Sequence, residues 1–224
     1  MSNPFDFFDK IYCVNLPNSA DRRKAVSIQF ELFGILDRVI FDFAPVPPKE
    51  IKWSNDDFRP GILGCSLSHL KIMFNAIESD CSNFLVFEDD IKLNCDLLDN
   101  SMSRLGGSLK EIPPDWDILY LGGKPTAKVE RLSNNLVSIN DRMLGTYAYA
   151  FNRKAVIEFV NLIFEMMFGN ACDTILGGYA INKNTFCVYP PLFSTIPGIS
   201  LVRGANRNYT DDTKRSWERF APRR

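Results

Sequence analysis

The chain has 224 residues, 46% of them hydrophobic and 24% charged, with a formal net charge of -1. That length suits one large domain or two small ones. The near-neutral charge argues against nucleic acid as the main partner, because backbone binding draws on a cationic excess. No apolar run is long enough to span a bilayer. The first residues, Met1 to Asp6, lack the basic start and apolar run of a secretory signal. Six cysteines form no CxxC pair, and His69 is the sole histidine, so a zinc site of the usual Cys/His type is not expected. Cys13 and Cys187 sit inside apolar runs, where a reduced buried thiol is the default. Together these features favour a reducing compartment, so a cytoplasmic protein is expected.

Taken in chain order, Lys10 to Leu16 reads as a first buried strand, apolar and branched. Pro17-Asn18-Ser19 is a turn in which Ser19 is a candidate helix cap. A helix is predicted from Asp21 to Phe33, ended by Gly34. A second strand follows over 38–43, and Pro45, Pro47 and Pro48 open a loop. Gly61 to Leu70 reads as a glycine- and serine-rich approach to a helix that runs to about Ser79. Asn83 to Phe87 is a strand ending in Glu88-Asp89-Asp90. A helix over 96–110 is loosened by Gly106-Gly107. Trp116 to Leu121 is a strand closed by Gly122-Gly123, and a polar excursion with a hairpin reaches Arg142. Gly145 to Phe151 is a strand, Arg153 to Phe168 an apolar helix, Asp173 to Ile181 a short helix, and Thr185 to Tyr189 the last strand. Alternation of strand and helix in the first half predicts an α/β sandwich with a mainly parallel central sheet.

The chemistry concentrates at the end of the third strand. Three consecutive carboxylates beside a core repel one another and are disfavoured as ions by burial. A divalent cation offsets both costs, and hard cations take carboxylate and phosphate oxygens. Ligands of open α/β sheets lie at the carboxyl ends of strands. The competing reading is an acidic turn that caps the next segment. Asn15 and Leu16, with Arg22 and Arg23, stand at another strand end on the same side of a parallel sheet. Guanidinium forks suit phosphates, although, judged alone, both arginines are more readily explained as solvated residues of a helix's first turn. Ser68 and His69 lie in a segment whose free amides could hold a phosphate or sugar hydroxyl. A lone histidine is more often structural. Asp173 is explained by the dipole of the helix it opens, or as a general base facing the reaction centre. The Gly122-Gly123-Lys124 turn could approach a ligand closely, although Gly-Gly turns are common without one.

In order and spacing these stretches resemble glycosyltransferase family 25, the lipooligosaccharide-biosynthesis and procollagen-galactosyltransferase-like group. The matching segments are Ile11 to Leu16 with Asp21-Arg22-Arg23, Gly64 to His69, and Phe87 to Asp90. Trp116 to Gly122, Gly145 to Tyr149, Asp173 and Tyr189 to Leu192 match more weakly. The resemblance spans about residues 9 to 200. It implies a GT-A-type (Rossmann-like) αβα sandwich and a metal-dependent, inverting transfer of a hexose, galactose first, from a UDP-sugar to a glycan hydroxyl. Glu88-Asp89-Asp90 then replaces the DxD motif. Asp90 binds Mn²⁺ or Mg²⁺, with Glu88 on the metal or the ribose and Asp89 orienting the donor. Asn15, Leu16 and Arg22 hold the nucleotide, Ser68 and His69 line the pocket, and Asp173 is the base. The family's aspartate after the tyrosine-proline segment is replaced by Ser200-Leu201-Val202, so a third metal ligand is unassigned among Asn206, Asn208, Asp211 and water.

Two rival readings stand beside this one. One is a catalytically silent sugar-nucleotide-binding relative, and the other is a different nucleotide-sugar enzyme such as a nucleotidyltransferase. The expected organisation is one domain over 1–202, followed by a basic tail or flap over 203–224. In that tail seven Arg or Lys stand against three acids, together with Trp217 and Phe220. Such a mixture suits a flap over phosphates, peripheral contact with an anionic membrane, or a solvated terminus.

Overall fold

The structure, a computed structural model, describes residues 3–43, 45, 47, 60–94, 98–196, 198–200, 205–207 and 209–222. The side chains of 198–200, 205–207 and 209 are outside that description. So are residues 48–59, the start of the helix expected from Asp96, Leu201-Val202, Asn208, Arg223 and Arg224.

Strand β1 (Lys10–Asn15), helix α1 (Ala20–Leu32), strand β2 (Val39–Phe43), helix α2 (Pro60–Glu78) and strand β3 (Asn83–Glu88) form the first half. There follow β4 (Ile91–Leu93), α3 (Leu98–Glu111), β5 (Ile118–Pro125), β6 (Glu130–Arg131), β7 (Leu136–Ser138), β8 (Met143–Asn152), α4 (Arg153–Met166), α5 (Cys172–Ala180) and β9 (Thr185–Val188). The chain continues through β10 (Phe193–Thr195), β11 (Gly198–Ser200), β12 (Ala205–Arg207) and α6 (Tyr209–Phe220). Eight strands make one sheet in the order β2-β1-β3-β8-β5-β9-β7-β6. β2, β1, β3, β5, β9 and β6 run one way, and β8 and β7 oppose them. This is the expected mainly parallel α/β sheet, with the antiparallel β8 inserted between β3 and β5.

The alternation of side chains along each strand divides the apolar residues into two cores. Tyr12, Phe84, Val86, Tyr120, Tyr149 and Phe151 face α2, α4 and α5. Ile11, Cys13, Leu85, Phe87, Leu119 and Ala150 face α1, α3 and the N-terminal 3-10 turn at Pro4–Phe7. The same period fixes the site. Glu88 follows Phe84 and Val86 and emerges on the α2 face. Asn15 and Asp89 follow Cys13 and Phe87 and emerge on the α1 face.

Several local expectations change. Ser19 is the N-cap residue of α1, but its side chain makes no capping bond. Its carbonyl is used instead, accepting from Arg23 N and Asn15 Nδ2. The Gly61 to His69 segment lies within α2 rather than ahead of it, because Ile62, Leu63, Leu70 and Met73 supply a buried stripe at helical spacing. Its amides from the second turn on are therefore committed to helical bonds, not free for an anion. Helix α3 runs unbroken through Gly106-Gly107. β5 passes through Gly122-Gly123 as a bulged strand instead of turning. A Cβ on Gly122 would lie 2.5 Å from Phe193 O and 2.6 Å from Tyr147 Cε2. Gly122 thus admits the protein's own backbone and a tyrosine ring, not a ligand. Gly122→Ala is expected to cost about 2 kcal/mol by overpacking, read as a lower denaturant midpoint with an unchanged slope.

The C-terminal stretch, expected as a basic tail or flap, is helical over Tyr209–Phe220. In α6 the side chains of Thr213 and Trp217 are buried one turn apart. Trp217 Nε1 donates to Gly123 O at 2.8 Å, and its ring lies 5.8 Å from that of Tyr189. Thr210 Oγ1 donates to Thr195 O, and Ser216 Oγ to Pro125 O. No helix among the described residues is long and apolar enough to cross a membrane.

Candidate functional site

The carboxyl ends of β1 and β3 lie side by side, Val14 in register with Glu88. The start of β8 is brought next to them by the antiparallel pairing of Phe87 with Ala148. Three elements therefore deliver Asn15, Glu88-Asp89-Asp90 and Thr146 to one edge of the sheet. Helix α1 adds Arg22 from one face, and α2 adds Cys65 and His69 from the other. The turn that carries the acids is pinned from behind. Ile196 N donates to Asp90 O at 2.7 Å, Gln29 Nε2 donates to Ile91 O at 2.8 Å, and Leu93 N donates to Gln29 Oε1 at 3.1 Å.

The three acids have different surroundings. Asp89 is buried, and both of its oxygens are engaged. Oδ2 accepts from Asn15 Nδ2 at 2.7 Å, and Oδ1 from Arg22 Nη1 at 3.0 Å. Burial raises its pKa despite those two partners. Glu88 accepts from Thr146 Oγ1 at 2.6 Å and lies 3.5 Å from His69 Nε2. Burial pushes its carboxyl up, but His69, Thr146 and Arg22 outweigh burial and hold it below the usual range. Asp90 is the frustrated member. Its Oδ2 is 3.4 Å from Arg22 Nη1, while its buried Oδ1 has no hydrogen-bond partner among the described residues. Burial, then repulsion by Glu88, raise it to about 7. Arg22 works against both. An ionised carboxylate with an unsatisfied buried oxygen is costly. A cation between Glu88 and Asp90 would relieve the repulsion and use that oxygen, so the residues fit a hard divalent ion.

The remaining candidates are distributed unevenly. Asn15 is fully buried and serves Asp89. Leu16 follows the end of β1, where its carbonyl accepts from Ser19 N. Ser68 is fully buried, and its hydroxyl donates to Gly64 O at 2.6 Å. His69 is also fully buried, with Nδ1 and the Tyr149 hydroxyl 2.8 Å apart. Asp173 stands partly buried in the first turn of α5, next to Cys172. The thiol of Cys65 is raised by burial and then by Glu88, Cys172, Asp173 and Asp90. Asp173 and the acids of the β3 turn thus act on one common neighbour. Asp211 is exposed in the first turn of α6. Sequence reading passed over Gln29, Thr146 as a partner of Glu88, and Tyr149. The last two lie in a segment already noted for its resemblance, where the alternating Tyr147 and Tyr149 were the available signal.

The fold and site define an α/β protein with an acidic cluster at the carboxyl edge of its sheet. The model of glycosyltransferase family 25 (LPS biosynthesis protein) matches residues 8–176, and the chain belongs to that family. The match includes β1, α2, the three acids and Asp173. Procollagen galactosyltransferase 1 of Danio rerio is 26% identical over 157 residues, 63% of this chain and 26% of the relative. Inactive glycosyltransferase 25 family member 3 of Homo sapiens is 24% identical over 135 residues, 52% of this chain and 22% of the relative. The chain thus spans about a quarter of the length of these curated relatives. Among solved structures, mannose-1-phosphate geranyltransferase from Thermus thermophilus superposes with a TM-score of 0.48 at 10% identity, covering 83% of this chain and 74% of that one.

Proposed function

We propose that the protein transfers a hexose, galactose first, from a UDP-sugar to a hydroxyl of a glycan acceptor such as lipooligosaccharide, with inversion at the anomeric carbon. The observation that carries this reading is the pairing of Asp90, with its unpartnered buried oxygen, and Glu88 at the strand ends of a family 25 chain. Glu88 and Asp90 would hold Mn²⁺ or Mg²⁺, which supplies Lewis-acid stabilisation of charge on a departing diphosphate. Asp89, with both oxygens taken by Asn15 and Arg22, is a brace that fixes the turn. Arg22 is partly exposed and adds positive charge beside it. Support for the UDP-sugar donor comes from the family and from relatives named as galactosyltransferases.

In the transfer, the acceptor oxygen bonds to the anomeric carbon as the bond from that carbon to the diphosphate oxygen breaks. The acceptor proton passes to the carboxylate of Asp173. The support for Asp173 is its share, with Glu88 and Asp90, in the electrostatic surroundings of Cys65. Asp173→Asn is expected to slow transfer by on the order of 100-fold or more while leaving UDP-sugar affinity unchanged. A variant that transfers at the full rate would remove Asp173 from this role.

A second reading, a silent relative that keeps the fold, has one support: a relative at 24% identity is named as inactive. The experiment that separates the two is UDP release from UDP-galactose and UDP-glucose with candidate glycan acceptors, with and without Mn²⁺. Metal-dependent release that requires an acceptor supports the transferase. Saturable UDP-sugar binding with no release under any acceptor supports the silent relative.

A further inference from the structure

We infer that Cys65, His69 and Glu88 form a second cation site, for a thiophilic divalent ion of the Zn²⁺ type, next to the carboxylate pair but chemically distinct from it. The sequence offered no CxxC pair and one histidine, and the usual spacing rules pass over this set. The fold assembles it from two separate elements. Cys65 and His69 stand one turn apart on α2, where positions four residues apart share a face. Glu88 reaches the same face from the end of β3. One ligand atom from each lies within 4.8 Å of the other two.

Three further observations point to a ligand. His69 is fully buried, and its Nε2 has no hydrogen-bond partner among the described residues, although Glu88 Oε1 is 3.5 Å away. Its other nitrogen is held by the Tyr149 hydroxyl at 2.8 Å. A metal-binding histidine is normally fixed in this manner by a partner on its distal nitrogen. Finally, Cys65 and Glu88 are partly exposed, so the cluster is within reach of solvent.

The donor set chooses the ion. Thiolate and imidazole select borderline and soft cations, whereas Mn²⁺ and Mg²⁺ prefer oxygen. Three protein ligands with a fourth position left to water is a common arrangement for zinc. Binding balances in protons. The Cys65 thiol loses its proton to solvent. With the ion bound, the imidazole keeps one proton, on Nδ1, and donates it to the Tyr149 oxygen; a proton on Nε2 leaves to solvent like that of the thiol, which frees the Nε2 lone pair for the ion. Tyr149 can take this part because a phenol both donates and accepts.

The site shares Glu88 with the proposed donor-metal pair. Occupation by zinc would therefore withdraw Glu88 from that pair and inhibit the enzyme. This consequence rests on the transferase reading; the binding site does not.

The test uses Co²⁺ as a spectroscopic probe on the intact, reduced protein without donor. A near-ultraviolet thiolate-to-cobalt band is expected in the wild type and in Asp90→Asn, and it is expected to vanish in Cys65→Ser. Competition by Zn²⁺ should bleach it. Tyr149→Phe should weaken Co²⁺ binding by about 10–100-fold, the usual effect of removing a partner of a metal-bound histidine. A band that is absent from the wild type, or that survives in Cys65→Ser, overturns the assignment. The wild-type spectrum alone decides the first of these and does not depend on any variant folding. Activity assays then address inhibition separately. A bound ion without an effect on transfer would refute the regulatory consequence and leave the site standing.

Discussion

Asp90→Asn is expected to make the cation-free protein more stable while abolishing its cation-dependent donor binding. Asp90 titrates near 7 in the folded protein, against about 3.9 in an unfolded chain. An acid with a raised folded pKa binds its proton more tightly in the native state. Between about pH 4 and 7 the native state then carries more protons than the unfolded one, and stability falls as pH rises through that window. Above it the full cost remains, because burial and Glu88 both oppose the charge. Asn removes the charge at nearly constant volume. The side chain is 23% exposed, so solvent screens part of the effect, and a gain of about 1–2 kcal/mol is a fair expectation. For a chain of this size that is roughly 4 °C in Tm. In a thermal melt at pH 8 without divalent ions, Asp90→Asn should unfold above the wild type, and the difference should shrink towards pH 4. Transfer activity should fall on the order of 100-fold or more. A variant that melts lower than the wild type at pH 8 would mean that Asp90 is a stabilising part of the turn, not a group held there for a cation.

The second large effect is at the other end of the chain. Trp217→Ala should destabilise the protein by about 3–5 kcal/mol, roughly 6–12 °C or more in Tm. Trp217 fills the contact between α6 and β5, lies tilted against the ring of Tyr189 and donates to Gly123 O. Alanine would leave a cavity and strand that carbonyl. The helix also neighbours the candidate site. Thr213 is buried on α6 and lowers the raised pKa of the Tyr147 hydroxyl, which burial sets high, and Glu88 and Asp90 act on the same hydroxyl. Loosening α6 should therefore cost activity below the melting temperature as well. A solvated tail or a membrane-seeking segment would make the substitution nearly silent in solution. A change in Tm of under about 1 °C, against the shift expected for a buried tryptophan, would contradict the docked helix.

How much of this was legible in the sequence follows from which interactions are local. β1, β3, β8 and α4 are long apolar stretches with clear periods, and their positions were readable. The three acids were readable too, because charge beside a buried strand is conspicuous. The Gly61 to His69 segment was misleading. Glycine and serine suggest a loop, yet Gly64 sits in the helix at a close approach to the chain at Pro45 and Pro47, where a Cβ would lie 2.9 Å from Pro45 O. That contact joins segments far apart along the chain, and no local rule contains it. β4 and β10 have three residues each, too short for a period to register. In α6 the spacing of Thr213, Trp217 and Phe220 was helical, but the surrounding charges hid it. The partners of the site were the least visible part. Gln29, Thr146 and Tyr149 reach it only because the sheet places β8 beside β3 and packs α1 and α2 on opposite faces. The same holds for Cys65 and Glu88, which are joined by the fold and not by spacing.

The most direct measurement of the central claim is a calorimetric titration of the purified protein with UDP-galactose and UDP-glucose, with and without Mn²⁺, repeated on Asp90→Asn. A ligand that binds only the folded state must also raise its apparent stability, so a melt of the same samples provides a check. The account predicts binding of at least one UDP-hexose to the wild type that requires Mn²⁺ and is lost in Asp90→Asn. Binding that is unaffected by Mn²⁺ or by the substitution would contradict it.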